Sequence, residues 1–156
     1  MTEEYMAVIS LVERLHRHFL NVVKLEVDSS DIRDINNVQA TILFNLGDAE
    51  MSVGELTLRG CYLGSNVSYN LKKLVENGYV EQARSSHDRR STHVRLTPKG
   101  RALRDRLAAM HRRHAESLQR VITAPDLEHA AATLGRLEHF WVRVGDKAPP
   151  FSRLVA

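Results

Sequence analysis

The chain is 156 residues long, 43% hydrophobic and 26% charged, ordinary values for a globular protein that exclude disordered and collagen-like classes. No segment reaches the ~20 apolar residues of a membrane helix, and the opening MTEEYMAV is acidic where a signal peptide is basic, so a cytoplasmic protein with no membrane partner is expected. The single cysteine, Cys61, excludes an intrachain disulfide and a multi-cysteine zinc framework, and the net charge of +3 hides an uneven distribution: −6 over residues 1–58, +9 over residues 59–113 and zero beyond.

Residues 5–23 place Met6, Ile9, Val12, Leu15, Phe19, Val22 and Val23 at spacings of three and four, which predicts an amphipathic helix too apolar to stand alone. A second helix is expected over residues 35–46, with Asp34 or Asn36 as its cap and Gly47 as its stop. The tetrapeptide SVGE from Ser52 is a capping box for a third helix that ends at Gly60. A fourth runs from about Ser65 to Asn77 before Gly78. Its apolar stripe is Val67, Leu71, Leu74 and Val75. The opposite face then presents Ser65, Asn66, Tyr69 and Lys73, flanked by Asn70 and Lys72, with Glu76 at the far end.

Residues 79–83 and 93–96 are short strand candidates joined by turn-forming residues, a hairpin with a long tip. Thr97-Pro98 opens a long helix whose Leu103, Leu107, Met110, His114, Leu118 and Val121 form a near-heptad seam. After Pro125, Thr123 and Asp126 cap a last helix with the stripe Leu127, Ala131, Leu134, Leu137, Trp141 and Val144. The first helix and the last two carry more apolar stripe than one such unit can cover, so pairing with a second copy is the simplest burial.

Two short helices joined by a glycine-containing turn make a helix-turn-helix candidate, a pattern that ordinary helix packing also produces. The hairpin that follows, RSSHDRRSTHVRLT with Asp88, Arg89 and Arg90 at its tip, gives the order of a winged helix. In that arrangement the fourth helix enters the major groove, where serine and asparagine can bond base edges. The wing falls on the minor groove, where an arginine gains from concentrated negative potential. Three solvated charges on a turn add almost nothing to folding. Arg90 is therefore read as the inserted group, Asp88 as the carboxylate that orients it, and Arg89 as a backbone contact. Ser65, Asn66, Tyr69 and Asn70 are assigned to bases, and Ser68, Lys72 and Lys73 to phosphates.

The run Asp88-Arg89-Arg90 through Leu96-Thr97 resembles the wing signature of MarR-family transcriptional regulators: aspartate, any residue, arginine, five residues, then Leu-Thr. The upstream NVSYNLKKLVENGYVEQARSSHDRR is similar to that family's recognition helix and first wing strand, and YLGSNVSYNLKKL to a subgroup that includes LdtR and PetP. Ser68 stands where threonine is common and Asn70 where an aliphatic residue is usual. The resemblance implies a mainly α fold with a small β-hairpin wing. Residues 34–97 would form the winged helix-turn-helix region, and residues 1–33 and 98–156 the helical dimerisation region. It further implies a homodimer on a pseudo-palindromic double-stranded operator, usually a repressor, released by a small ligand or an oxidant.

Other readings attach to single residues. Cys61, near Arg59 and a helix start, has the surroundings of a redox-active thiol, or is a small, partly buried apolar residue. His16 and His18, and His111 and His114, fall at spacings of two and three and lack the i, i+4 pair that shares one helix face, so no metal site is expected. There is no Gly-rich phosphate loop and no nucleophile–base arrangement, so neither enzymatic activity nor a cofactor is expected. A winged helix used for protein contact is the alternative to DNA binding.

Overall fold

The computed structural model describes residues 1–48, 50–60, 64–84 and 92–147. The chain divides into two units, residues 1–111 and 112–156, each taken by itself. The element order is α1 (Thr2–Asp28), α2 (Asn37–Leu46), β1 (Met51–Ser52), α3 (Val53–Arg59), α4 (Gly64–Glu76), β2 (Val80–Arg84), β3 (Thr92–Leu96), α5 (Pro98–Leu118) and α6 (Ala124–Lys147). The mainly helical class with a small β wing is as expected from the sequence.

α1 runs five residues past the expected end because Val27 continues the inward stripe one turn beyond Val23, and both are buried. The hydroxyls of Ser29 and Ser30 then donate to the Glu26 carbonyl and close the helix. α2 is capped by Asn36: its side chain accepts from the Gln39 amide at 2.8 Å while Gln39 accepts from the Asn36 amide at 3.1 Å. Asp34, the other cap candidate, is engaged elsewhere. α2 buries Ala40, Ile42, Leu43 and Leu46, which makes it the centre of the first unit's core.

The expected capping box opens α3: Ser52 Oγ accepts from the Glu55 amide at 3.1 Å and the Glu55 carboxylate accepts from the Ser52 amide at 2.7 Å. α4 ends in a Schellman motif, with the Tyr79 amide donating to the Leu74 carbonyl and the Gly78 amide to the Val75 carbonyl. That geometry requires a left-handed residue, and Gly78 supplies it at φ 74°.

The sheet has the order β1-β3-β2, antiparallel throughout. Val80 pairs with Leu96 and Gln82 with Val94, while Met51 and Ser52 add to the far edge of β3. β1 was not anticipated, since two residues show no alternation to read. α5 begins as expected, with Thr97 Oγ1 accepting from the Gly100 amide at 3.1 Å, and it buries Leu103, Leu107 and Met110 in the first unit.

In the second unit α5 ends at Leu118, and Val121 lies in the following turn, outside the helical seam it was assigned to. His114 is exposed. Thr123 and Asp126 cap α6 reciprocally. Leu127, Leu134, Trp141 and Val144 on α6 remain exposed, as do Met6, Leu11, Leu15 and Phe19 on α1. Among the described residues, no helix is long and apolar enough to cross a membrane.

Candidate nucleic-acid interface

α4 is amphipathic in the manner the spacing predicts. Val67, Leu71 and Leu74 are fully buried, while Asn66, Ser68, Tyr69 and Lys72 point outward, Tyr69 with 62% of its surface free. Lys73 is half-buried and Ser65 lies in the first turn of the helix.

Asn70 departs from its assignment to bases. It is only 8% exposed, and its amide donates to the Asn66 carbonyl at 2.8 Å within the helix. Positions 67, 70, 71 and 74 follow the i, i+3, i+4, i+7 pattern of an inward face, so geometry turns Asn70 toward the core whatever its polarity. An aliphatic residue at that position would be unremarkable; here the intrahelical bond satisfies the buried amide.

The wing is built from β2 and β3, whose pairing continues to Arg84 opposite Thr92. Arg95 donates to Glu81, its cross-strand partner, at 2.8 Å. Asp88, Arg89 and Arg90, and Cys61 before α4, lie outside the described residues.

The C-terminal end of α4 is gripped from two sides, by Tyr79 and Lys99, which sequence reasoning did not single out, and by Asp34 and Thr97, which it read only as helix caps. The Tyr79 hydroxyl donates to one oxygen of Asp34 at 2.7 Å, and Lys99 Nζ donates to the other at 2.8 Å and to the Asn77 carbonyl at 2.8 Å. Lys99 also lies 4.0 Å from the centre of the Tyr79 ring. Burial pushes the Tyr79 hydroxyl well above its ordinary pKa, and donation to Asp34 adds to the rise, so it stays protonated. Thr97 Oγ1 donates to the Gly78 carbonyl at 2.6 Å. Together these contacts fix α4 to the α1–α2 linker and to the start of α5.

Among the described residues, ion pairs engage at least six of the thirteen bases of residues 59–113, and they bring in three acids from outside that block, Glu26, Asp34 and Asp48. Lys72 and Lys73 face Glu76, Arg95 faces Glu81, Lys99 faces Asp34, Arg104 lies between Asp48 and Asp105, and Arg106 faces Glu26. Composition alone therefore overstates the free cations on the surface.

A cavity of about 330 Å³ lies between α1, α2 and α5, lined by Phe19, Val23, Thr41, Phe44, Leu107 and His111 among others. His111 stacks on Phe19 with ring centres 5.8 Å apart and tilts against Phe44 at 5.0 Å. Among the described residues, no three His, Cys, Asp or Glu side chains gather as a metal ion would require.

Residues 35–100 match the family model described as a winged helix DNA-binding domain, the segment from the start of α2 to the first turn of α5. The chain is 39% identical over 142 residues to the exopolysaccharide II synthesis transcriptional activator ExpG of Rhizobium meliloti (strain 1021), covering 88% of this chain and 71% of that protein. Among solved structures, it is similar to FabT of Streptococcus pneumoniae in complex with DNA, with TM-score 0.73 and 20% identity over 90% of this chain and 99% of that one. A mutant MarR of E. coli complexed with operator DNA gives TM-score 0.72 and 19% identity over 88% of this chain and 97% of that one. At these identities the structural likeness speaks for the fold alone.

Proposed function

Because the chain belongs to the MarR family of winged helix-turn-helix transcriptional regulators, and is therefore a DNA-binding regulator of transcription, we propose that it acts as a homodimer on a pseudo-palindromic operator. The supporting observation is the division of α4 into a buried stripe of Val67, Leu71 and Leu74 and an outward face carrying Asn66, Ser68, Tyr69 and Lys72. Ser65, Asn66 and Tyr69 read base edges, and Ser68, Lys72 and Lys73 meet phosphates. Arg90 enters the minor groove, Asp88 orients it and Arg89 contacts the backbone.

A homodimer is supported by the apolar side chains that a single chain leaves uncovered on α1 and α6. Two copies related by a two-fold axis would set half-site centres about one helical turn, ~34 Å, apart. A small effector that releases DNA would suit the cavity lined by Phe19, Phe44, Leu107 and His111, beside the helices that hold α4. No metal, cofactor or catalytic group enters this reading, and the working compartment is the cytoplasm, where the DNA is.

The resemblance to the family favours repression. A second reading, activation, is favoured by the printed name of the 39%-identical relative. Selection of bound fragments from the source genome, followed by transcription in vitro from the promoters recovered, decides between them. A winged helix used only for protein contact would fail at the first step. DNA binding gives a log–log salt slope of about −0.9 per phosphate neutralised, and protein docking gives none toward a duplex.

A further inference from the structure

Folding gives Glu76 little reason to stand where it does. It closes the last turn of α4, where a helix carries partial negative charge and a carboxylate is disfavoured. Its partners precede it, and lysine on the N-terminal side of glutamate is the weaker order for a helical ion pair. Lys72 is largely exposed and Lys73 and Glu76 are partly so, so the pairs are screened by solvent and contribute modestly to stability. Yet this one carboxylate engages both lysines of α4, with Oε2 2.8 Å from Lys73 Nζ and Oε1 3.9 Å from Lys72 Nζ.

We infer that Glu76 sets the affinity for DNA by holding Lys72 and Lys73 in the free protein, so that each phosphate contact is made by exchanging a carboxylate for a phosphate. The inference rests on reading α4 as the helix that meets DNA. The hydrogen bond from Lys73 holds the Glu76 carboxyl below its ordinary pKa, so the clamp stays charged at neutral pH. Non-specific binding consists almost wholly of phosphate contacts, whereas hydrogen bonds from Asn66 and Tyr69 to bases do not involve these lysines. Glu76 thus restrains binding to arbitrary sequence and leaves operator preference to the side chains that read bases.

The test is a salt titration of full-length protein on a random-sequence duplex and on a selected genomic fragment, for wild type, Glu76→Gln, Lys73→Met and the double variant. Glu76→Gln is expected to bind random duplex roughly three- to tenfold more tightly, with a slope steeper by about 0.9 for each phosphate gained. Most of that gain should vanish in the Lys73→Met background. Glu13→Gln, the same charge change in the Glu13–Arg17 pair of α1, should leave affinity within twofold, or about 0.4 kcal/mol. No gain from Glu76→Gln while Lys73→Met weakens binding overturns the inference and leaves the reading of α4 intact. A gain that persists undiminished without Lys73, or is matched by Glu13→Gln, is a general charge effect and overturns it too. If Lys73→Met changes neither affinity nor slope, the assignment of the α4 lysines to phosphate fails first.

Discussion

The Tyr79 hydroxyl donates a 2.7 Å hydrogen bond to the Asp34 carboxylate, joining the residue that ends the α4 cap to the linker that enters α2. The two are 45 residues apart in sequence, and Lys99 closes the cluster from a third element. Removing the hydroxyl leaves a buried ring and a carboxylate still paired with Lys99. A hydrogen bond to a charged group contributes ~1.5–3 kcal/mol, and exposure of Asp34 reduces that to about 1 kcal/mol. Tyr79→Phe should therefore lower Tm by roughly 2–4 °C in a domain of this size. An unchanged Tm would show that the hydroxyl is equally well solvated in the unfolded chain.

The same cluster predicts a pH dependence. Burial alone would raise the Asp34 carboxyl, but the hydrogen bonds from Lys99 and Tyr79 and the Lys99 charge outweigh it and hold the pKa below its ordinary value. A depressed folded pKa gives stabilisation that is complete above the unfolded value of about 3.9 and is lost as pH falls through the folded value. The stability lost by Asp34→Asn should thus be greatest near neutrality and shrink below about pH 4. Urea melts across that range check it, and a deficit that stays constant with pH would assign the loss to packing instead.

Gly100 brings α5 against the backbone of Tyr79, the residue before β2. A Cβ there would lie 2.1 Å from the Tyr79 carbonyl oxygen, which is backbone held by the Thr97 amide and cannot give way. Helix propensity favours alanine over glycine by ~1 kcal/mol, so the two effects oppose each other. The clash should win, because overpacking costs ~1–3 kcal/mol even where side chains can move. Gly100→Ala is expected to lower the urea midpoint with an unchanged m-value and to weaken DNA binding by displacing the end of α4. A midpoint equal to wild type would mean that α5 shifts freely along the sheet.

Local signals were legible and long-range ones were not. Ser52 and Glu55, Thr97 and Pro98, and Thr123 and Asp126 each declare a helix start within four residues, and each is a helix start in the structure, while of the two caps open for α2, Asp34 and Asn36, it is Asn36 that caps it. Asn70 was misassigned because polarity was weighed above position, although the 67, 70, 71, 74 spacing was available. The Asp34–Tyr79–Lys99 cluster and the Arg106–Glu26 pair join residues too far apart in sequence for any spacing rule to connect. The same limit made the basic block look freer than its ion pairs leave it.

The proposed base-reading face separates two kinds of mutant. Asn66→Ala or Tyr69→Ala should cost roughly ten- to a hundredfold on the operator and little on random duplex, in keeping with ~1–3 kcal/mol for one good base contact. Arg90→Ala should cost several-fold to a hundredfold on the operator, and Lys73→Ala should weaken all sequences alike and flatten the salt slope by ~1. Gel shifts at two salt concentrations distinguish the classes. Equal losses on both duplexes for Asn66→Ala and Tyr69→Ala would mean that α4 contacts backbone only.

Trp141 on α6 tests the proposed dimer. It is 39% exposed in the single chain, in a stripe with Leu127, Leu134 and Val144, all exposed as well. Surface of this kind is covered in obligate homodimers, whose interfaces are more apolar than ordinary protein surface. A carboxylate placed there would have to be desolvated on pairing without a partner, a cost of several kcal/mol that is paid once per copy across a two-fold axis. Trp141→Glu should therefore sediment at the mass of one chain where wild type sediments at two. Its helical content should hold, since none of the described α6 side chains is buried in the single chain. Operator affinity should fall by a hundredfold or more, ~3 kcal/mol, because one recognition helix no longer raises the effective concentration of the other. A variant that keeps twice the chain mass would place the interface on another face and remove α6 from it.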